Sequence, residues 1–172
     1  MPLWLRYAVA AVVVALDQWS KLAVEGALEL YERIPVTSFF NLTKAYNPGA
    51  AFSFLADSGG WQRWFFTIVS SVVSVALVVW LARMERAERA LALSISLILG
   101  GAVGNLVDRV AYGHVVDFVQ VHWGGAYFPS FNVADSAITV GTALLLLLTF
   151  LDWRAERAAG PETGTGDHES TR

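Results

Sequence analysis

Four aspartates stand where this sequence could do chemistry. Asp17 lies four residues before Lys21, Asp108 sits between Asn105 and Arg109, Asp117 follows, and Asp135 comes three residues after Asn132. On a helix, residues three or four apart share a face, so Asp17 with Lys21 and Asn132 with Asp135 point the same way. Asp17 with Lys21 reads as an ion pair, and Asp108 with Arg109 as a salt bridge. Asp117 and Asp135 differ, because neither has a Lys or Arg within four positions. An unpaired carboxylate taken out of water is costly. It is tolerated when it shares a proton with a second carboxylate or lines a wet cavity. Two carboxylates with one proton between them can hydrolyse an amide: the ionised one takes a proton from water while the neutral one donates to the carbonyl, as in aspartic proteases. Such a pair titrates as a unit. Other nucleophiles are poorly represented. No serine sits in a G-x-S-x-G elbow, there is no cysteine, and His114, His122 and His168 have no metal-ligand spacing. No metal is expected.

The elements that must hold these groups are apolar. Of 172 residues, 55% are hydrophobic and only 16% are charged, too few to cover a soluble protein of this size. The net charge of −3 gives no basic footprint for nucleic acid. No charge interrupts the 19 residues from Trp64 to Ala82, the 18 from Ala90 to Val107 or the 16 from Ser136 to Leu151. Runs of this length read as membrane-spanning helices. The ten apolar residues from Tyr7 to Leu16 resemble a signal-peptide core, but no A-x-A site follows them. Four spans are expected, at about 3–24, 62–82, 90–110 and 131–152, in a domain of residues 1–154. The expected class is an all-α membrane protein with a small extracytoplasmic β-rich cradle.

Arg83, Arg86 and Arg89 in one short loop, Arg6 near the N-terminus, and Arg154 and Arg157 after the last span fall on one side of this layout. That side is expected to be the cytoplasm, with both termini in. All four aspartates then lie at the outer ends of the spans. Between spans one and two, Phe39–Tyr46 and Ala50–Phe54 flank Asn47-Pro48-Gly49 and suggest a strand pair around a turn. The segment Val115–Val121 suits a strand or an interfacial turn. Trp19, Trp61, Trp64, Tyr112, Trp123 and Tyr127 fall near the outer boundary, as an aromatic belt does. Residues 155–172 are polar and expected to form a disordered cytoplasmic tail.

Five segments, Asp17-Gln18-Trp19-Ser20-Lys21, Tyr46-Asn47-Pro48-Gly49-Ala50-Ala51-Phe52, Gly104-Asn105-Leu106-Val107-Asp108-Arg109, Val115-Val116-Asp117-Phe118 and Phe131-Asn132-Val133-Ala134-Asp135-Ser136, occur in this order over four spans. In this the chain resembles bacterial lipoprotein signal peptidases (signal peptidase II) over about residues 3–152. The resemblance implies an aspartic endopeptidase of the inner membrane that removes signal peptides from diacylglyceryl-modified prolipoproteins, cutting N-terminal to the lipidated cysteine. It implies Asp117 and Asp135 as the catalytic pair, no cofactor, and membrane lipids and prolipoproteins as partners; a monomer is expected. Asn47, Gly49, Asn105, Arg109 and Asn132 would support the pair and the substrate backbone, with Asp17, Lys21 and Asp108 bracing the site. Asp108 rivals Asp117 for the first catalytic position, and Asp117 is preferred because Arg109 adjoins Asp108. Two other readings stay open: a small proton- or ion-conducting protein with aspartate relays, and a structural subunit whose carboxylates only pair with Arg and Lys. Relay groups should thread the bilayer, whereas these stop at one face.

Overall fold

The protein is seen here as a computed structural model, which describes residues 1–49 and 61–159. Four long helices, α1 (Leu3–Ala27), α2 (Trp61–Arg83), α3 (Arg89–Ala111) and α4 (Val133–Ala159), are each long and apolar enough to cross a membrane. Four antiparallel strands, β1 (Arg33–Pro35), β2 (Phe40–Asn47), β3 (Val115–Trp123) and β4 (Ala126–Tyr127), form a small sheet in the order β1-β2-β3-β4. The expected class is observed.

The centre of the bundle is α3. Half of its most apolar stretch is buried, against 17% for α2 and 11% for α4. Lipid is as apolar as leucine, so helices associate in it through close backbone approach rather than through hydrophobic burial. The residues of α3 follow that rule. Gly100 lies against Ala10 and Val13 of α1, and Gly101 lies against the Ala134 carbonyl of α4. Among the described residues α1, α2 and α4 all pack on α3, while α2 and α4 do not meet. The bundle is therefore open sideways between α2 and α4. Val24 of α1 and Leu28, just past its end, pack with Phe118 of β3, which seats the sheet on the helix ends.

Several boundaries differ from expectation for local reasons. The helix α4 starts at Val133 rather than 131, because Phe131 is taken by the sheet: its carbonyl accepts from the Phe118 and Val119 amides. It also continues to Ala159, through residues expected to open the tail. Arg154 lies over Phe150 and Arg157 over Trp153, pairs one turn apart that favour helix. Residues 160–172 lie outside the described residues. The strand expected over Ala50–Phe54 does too. Among the described residues, β2 pairs with β1 and with β3, from Phe40–Val121 to Asn47–Val115. The segment after α3 is thus a strand and not a turn.

Arg6 was expected as a loop charge, yet it is 2% exposed. Its guanidinium donates to the carbonyls of Leu81 (2.5 Å), Met84 (2.9 Å) and Glu85 (2.7 Å). Those are the orphan acceptors at the end of α2 and just beyond it, where a cation is favoured. All seven tryptophans are exposed by 43% or more. Trp4, Trp80 and Trp153 lie at one end of the bundle, and Trp19, Trp61, Trp64 and Trp123 at the other. The two sets read as aromatic belts at the two membrane boundaries.

Candidate active site

The helices bring all four aspartates to the same end. Lys21 lies at their centre. Its ammonium sits 2.7 Å from Asp17 Oδ2 and 2.7 Å from Asp108 Oδ2, and donates to Asn105 Oδ1 at 3.0 Å. The three charged side chains are nearly inaccessible, at 0% for Asp17, 3% for Lys21 and 1% for Asp108. The spare acceptors of the two aspartates fasten other elements. Asp17 Oδ1 accepts the Ala134 amide at the start of α4, and Asp108 Oδ2 accepts the Val116 amide of β3. Gln18 Nε2 donates to Asp108 Oδ1 at 2.8 Å and reaches the Gly104 carbonyl. Gln18 is a site residue that sequence reasoning did not single out, although it lies between Asp17 and Lys21 in the first matching segment.

Asp108 is thus neutralised by Lys21 of α1, not by Arg109 beside it. Neighbouring side chains on a helix diverge by about 100° and do not face each other. Arg109 points elsewhere: its guanidinium lies 5.6 Å from the Phe66 ring, and Nη1 donates to the carbonyl of Asn105. Its Nε has no partner among the described residues.

Asn105 passes the arrangement on to the other two carboxylates. Lys21 can only donate, so the Asn105 oxygen must face it and the Asn105 amide must face Asp135, whose Oδ1 it meets at 2.8 Å. Asn132 is fully buried and touches both sides. Its Nδ2 donates to Asp117 Oδ1 at 2.8 Å, and its Oδ1 accepts the Asp135 amide at 2.9 Å. Its own amide returns to Asp135 Oδ2 at 3.3 Å, which makes Asn132 and Asp135 a reciprocal cap on the first turn of α4. The second oxygen of Asp117 accepts from Asn47 Nδ2 at 3.2 Å. Asn47 is aimed by its own turn: Oδ1 accepts the Gly49 amide at 2.9 Å, and Gly49 has φ +109°, a conformation that favours glycine. A Cβ on Gly49 would also meet the ring of Phe66. Burial and then the nearby Asp135 charge raise the Asp117 carboxyl to about 7, against the hydrogen bonds from Asn47 and Asn132.

Every site residue expected from the sequence therefore lies in one cluster, with Arg109 at its edge. Asp117 and Asp135 share Asn132 but have no basic partner in direct contact among the described residues. Each borders an open cavity. One, of about 780 Å³, runs from Asp117 over the sheet to Gln120 and Tyr127. The other, of about 420 Å³, runs from Asp135 along α4 past Ser136 and Val140, and Phe128 lines both.

The cluster depends on one close approach. A Cβ built on Gly104 would stand 2.6 Å from Asp17 Oδ2, an atom held by Lys21. Gly104→Ala is expected to lower stability by about 1–3 kcal/mol, the usual range for overpacking, read from thermal unfolding in detergent. An unchanged midpoint would mean that the carboxylate can move aside.

The model of the family described as signal peptidase (SPase) II matches residues 9–151. A lipoprotein signal peptidase of Cellvibrio japonicus is 54% identical over 149 residues, covering 87% of this chain and 88% of that protein. One from Pseudomonas aeruginosa is 52% identical over 153 residues, covering 88% and 90%. Two bacterial membrane enzymes solved by the in meso method share the fold. One has a TM-score of 0.76 at 29% identity, covering 97% of this chain and 94% of the other. The second has 0.74 at 34%, covering 84% and 91%. A buried carboxylate cluster at one end of four spans, joined to a match over most of the chain, makes this bacterial multi-pass membrane protein a member of the signal peptidase II family.

Proposed function

We propose that this protein is an aspartic endopeptidase that removes signal peptides from diacylglyceryl-modified prolipoproteins, cutting N-terminal to the lipidated cysteine, with Asp117 and Asp135 as its catalytic pair. The observation that carries the assignment is the division of the four carboxylates. Asp17 and Asp108 are consumed by Lys21 and by backbone amides. Asp117 and Asp135 face the cavities and are held only by amide groups. Asp135, in the first turn of α4 and lining the smaller cavity, is the base that takes a proton from water. Asp117 keeps its proton to about pH 7 and donates it towards the scissile carbonyl. Asn47, Asn105 and Asn132 fix the carboxylates; Arg109 and Gly49 border the same space.

The signal peptide is itself a membrane helix. The side of the bundle where α2 and α4 do not meet, together with the cavity that runs along α4 from Asp135, offers it a way in from the membrane. Arg83, Arg86 and Arg89, with Arg154 and Arg157, lie at the end opposite the carboxylates and support an orientation with both termini cytoplasmic and the site extracytoplasmic. Arg6, buried against α2, drops out of that argument.

The pair works with one proton, and Asp117 loses that proton as pH rises through about 7. Expected kcat/KM therefore falls about tenfold per pH unit above that point. Asn47→Ala removes a hydrogen bond that favours the ionised Asp117, so the falling limb should move to higher pH. A pH–rate profile of gel-resolved prolipoprotein cleavage checks both. A limb that moves down in Asn47→Ala would reject Asp117 as the proton holder.

A further inference from the structure

Beyond Asn47 and Asp117, the lining of the cavity over the sheet has no part in the chemistry just described. The cavity is lined by Tyr31, Tyr46, His114, Gln120, Tyr127 and Ser130, among others, and none of these belongs to a membrane-spanning helix. We propose that it is a binding subsite for the first residues of the mature lipoprotein, on the far side of the cleavage point, and that Gln120 is the group that grips them. The inference rests on the peptidase reading above.

The first argument is continuity. The signal-peptide side of the substrate must stay at hydrocarbon depth, beside α4, where the smaller cavity runs from Asp135. The mature side must leave the carboxylates towards water, and the sheet cavity is the open space that begins at Asp117 in that direction. Asp117 and Gln120 are about 10 Å apart along β3, the span of three extended residues.

The second argument is a device in the strand. Residues three apart on a regular strand face opposite ways. Here the amides of Phe118 and Val119 both donate to the Phe131 carbonyl, at 3.0 and 2.8 Å. The paired register slips over the same stretch, between Leu42–Val119 and Ala45–Asp117, with the extra residue in β2, where Thr43 and Lys44 stand against Phe118 alone. Across this irregular stretch Asp117 and Gln120 line one cavity.

The third argument is an available donor. Gln120 is 92% buried, since 8% of it is exposed. Its oxygen accepts from Asn41 Nδ2 at 3.3 Å, and Asn41 Oδ1 meets His122 Nε2 at 3.2 Å. With His122 donating, both carboxamides are oriented in series, and the Gln120 NH2, which has no partner among the described residues, faces the cavity it lines. The edges of β3 are taken by β2 on one side and by β4 with Phe131 on the other. A peptide cannot add as a strand there, so side chains must hold it. Asp117 apart, the lining among the described residues carries no Lys, Arg, Asp or Glu, which suits a short uncharged backbone segment accepting from Gln120.

The test uses two diacylglyceryl-modified prolipoprotein peptides with the same signal segment, one ending directly after the cysteine and one extending six residues further. Wild-type enzyme is expected to cleave the longer one with kcat/KM about tenfold higher, the gain lying in KM. In Gln120→Leu the long-to-short ratio should fall to within about twofold of one. In Gln120→Glu, which turns a donor into an acceptor, it should fall at least as far. Equal cleavage of both peptides by the wild type, or an undiminished ratio in Gln120→Leu, would overturn the subsite. Failure of the wild type to cleave either peptide would instead reject the peptidase reading, and the subsite with it.

Discussion

Replacing Asp117 or Asp135 by Asn should each lower the cleavage rate of a diacylglyceryl-modified prolipoprotein by at least about a thousandfold. Removing a positioned acid or base typically costs 10²–10⁴-fold, and here each carboxylate has its own proton to move in the same step. Because the two act as a unit, the double replacement should be little worse than either alone. The substitutions are not equally quiet in structure. Both oxygens of Asp117 accept from amide NH2 groups, of Asn47 and Asn132. An Asn there must turn its own NH2 against one of them. Folding of Asp117→Asn therefore needs its own measurement, by thermal unfolding in detergent, before its rate is interpreted. Asp108→Asn removes a partner of Lys21 rather than a proton carrier, so its loss of rate should be smaller. Cleavage that survives in Asp135→Asn would end the assignment. Loss in Asp108→Asn as deep as in Asp135→Asn, with Asp117→Asn active, would move the first carboxylate to Asp108.

Lys21→Met should be the most damaging single change to stability. It leaves Asp17 and Asp108 buried and facing each other without the ammonium that stands 2.7 Å from each. Breaking a buried pair by removing one partner costs about 3–5 kcal/mol, because the remaining charge is uncompensated. Here two charges are stranded, in a protein whose total stability is of order 5–15 kcal/mol. The expected result is little folded protein after extraction. Lys21→Met combined with Asp108→Asn should recover part of the loss, since one stranded charge is gone. Lys21→Arg should not restore full stability, because a planar fork does not fit a site built around a point charge with three donors. A Lys21→Met protein as stable as the wild type would show that the cluster contributes nothing to holding the helices.

Much of this was legible in the sequence, and the reason is the periodicity of charge. Uncharged runs of 16 to 19 residues mark the spans, and the polar residues that interrupt helix ends mark the site. Asp117 and Asp135 stood out because no cation lay near them in sequence. What was not legible depended on contacts between distant segments. The local pairing of Asp108 with Arg109 was the natural inference from adjacency, yet the cation that neutralises Asp108 comes from 87 residues earlier in the chain. The pairing of β2 with β3, which lies beyond α3, likewise joins distant segments. Gln18 and Gln120 carry no charge and so gave no electrostatic signal, and the irregular pairing of β2 with β3 has no residue signature of its own.

The clasp of Arg6 on the end of α2 also bears on how the chain comes to be assembled. Arg6 and the Glu85 carbonyl it holds are 79 residues apart. At roughly 5–20 residues per second, about 4–16 s of synthesis separate them. During that interval the first span carries a guanidinium without its final acceptors, and α1 otherwise has only slight contact with α2. The two helices are then joined first at the end far from the carboxylates, leaving the opposite ends splayed. The third helix, whose glycines need close backbones on both sides, can wedge between them as it emerges. On this order the catalytic end is the last part of the bundle to close, and nascent chains halted before residue 85 should lack a fixed first helix.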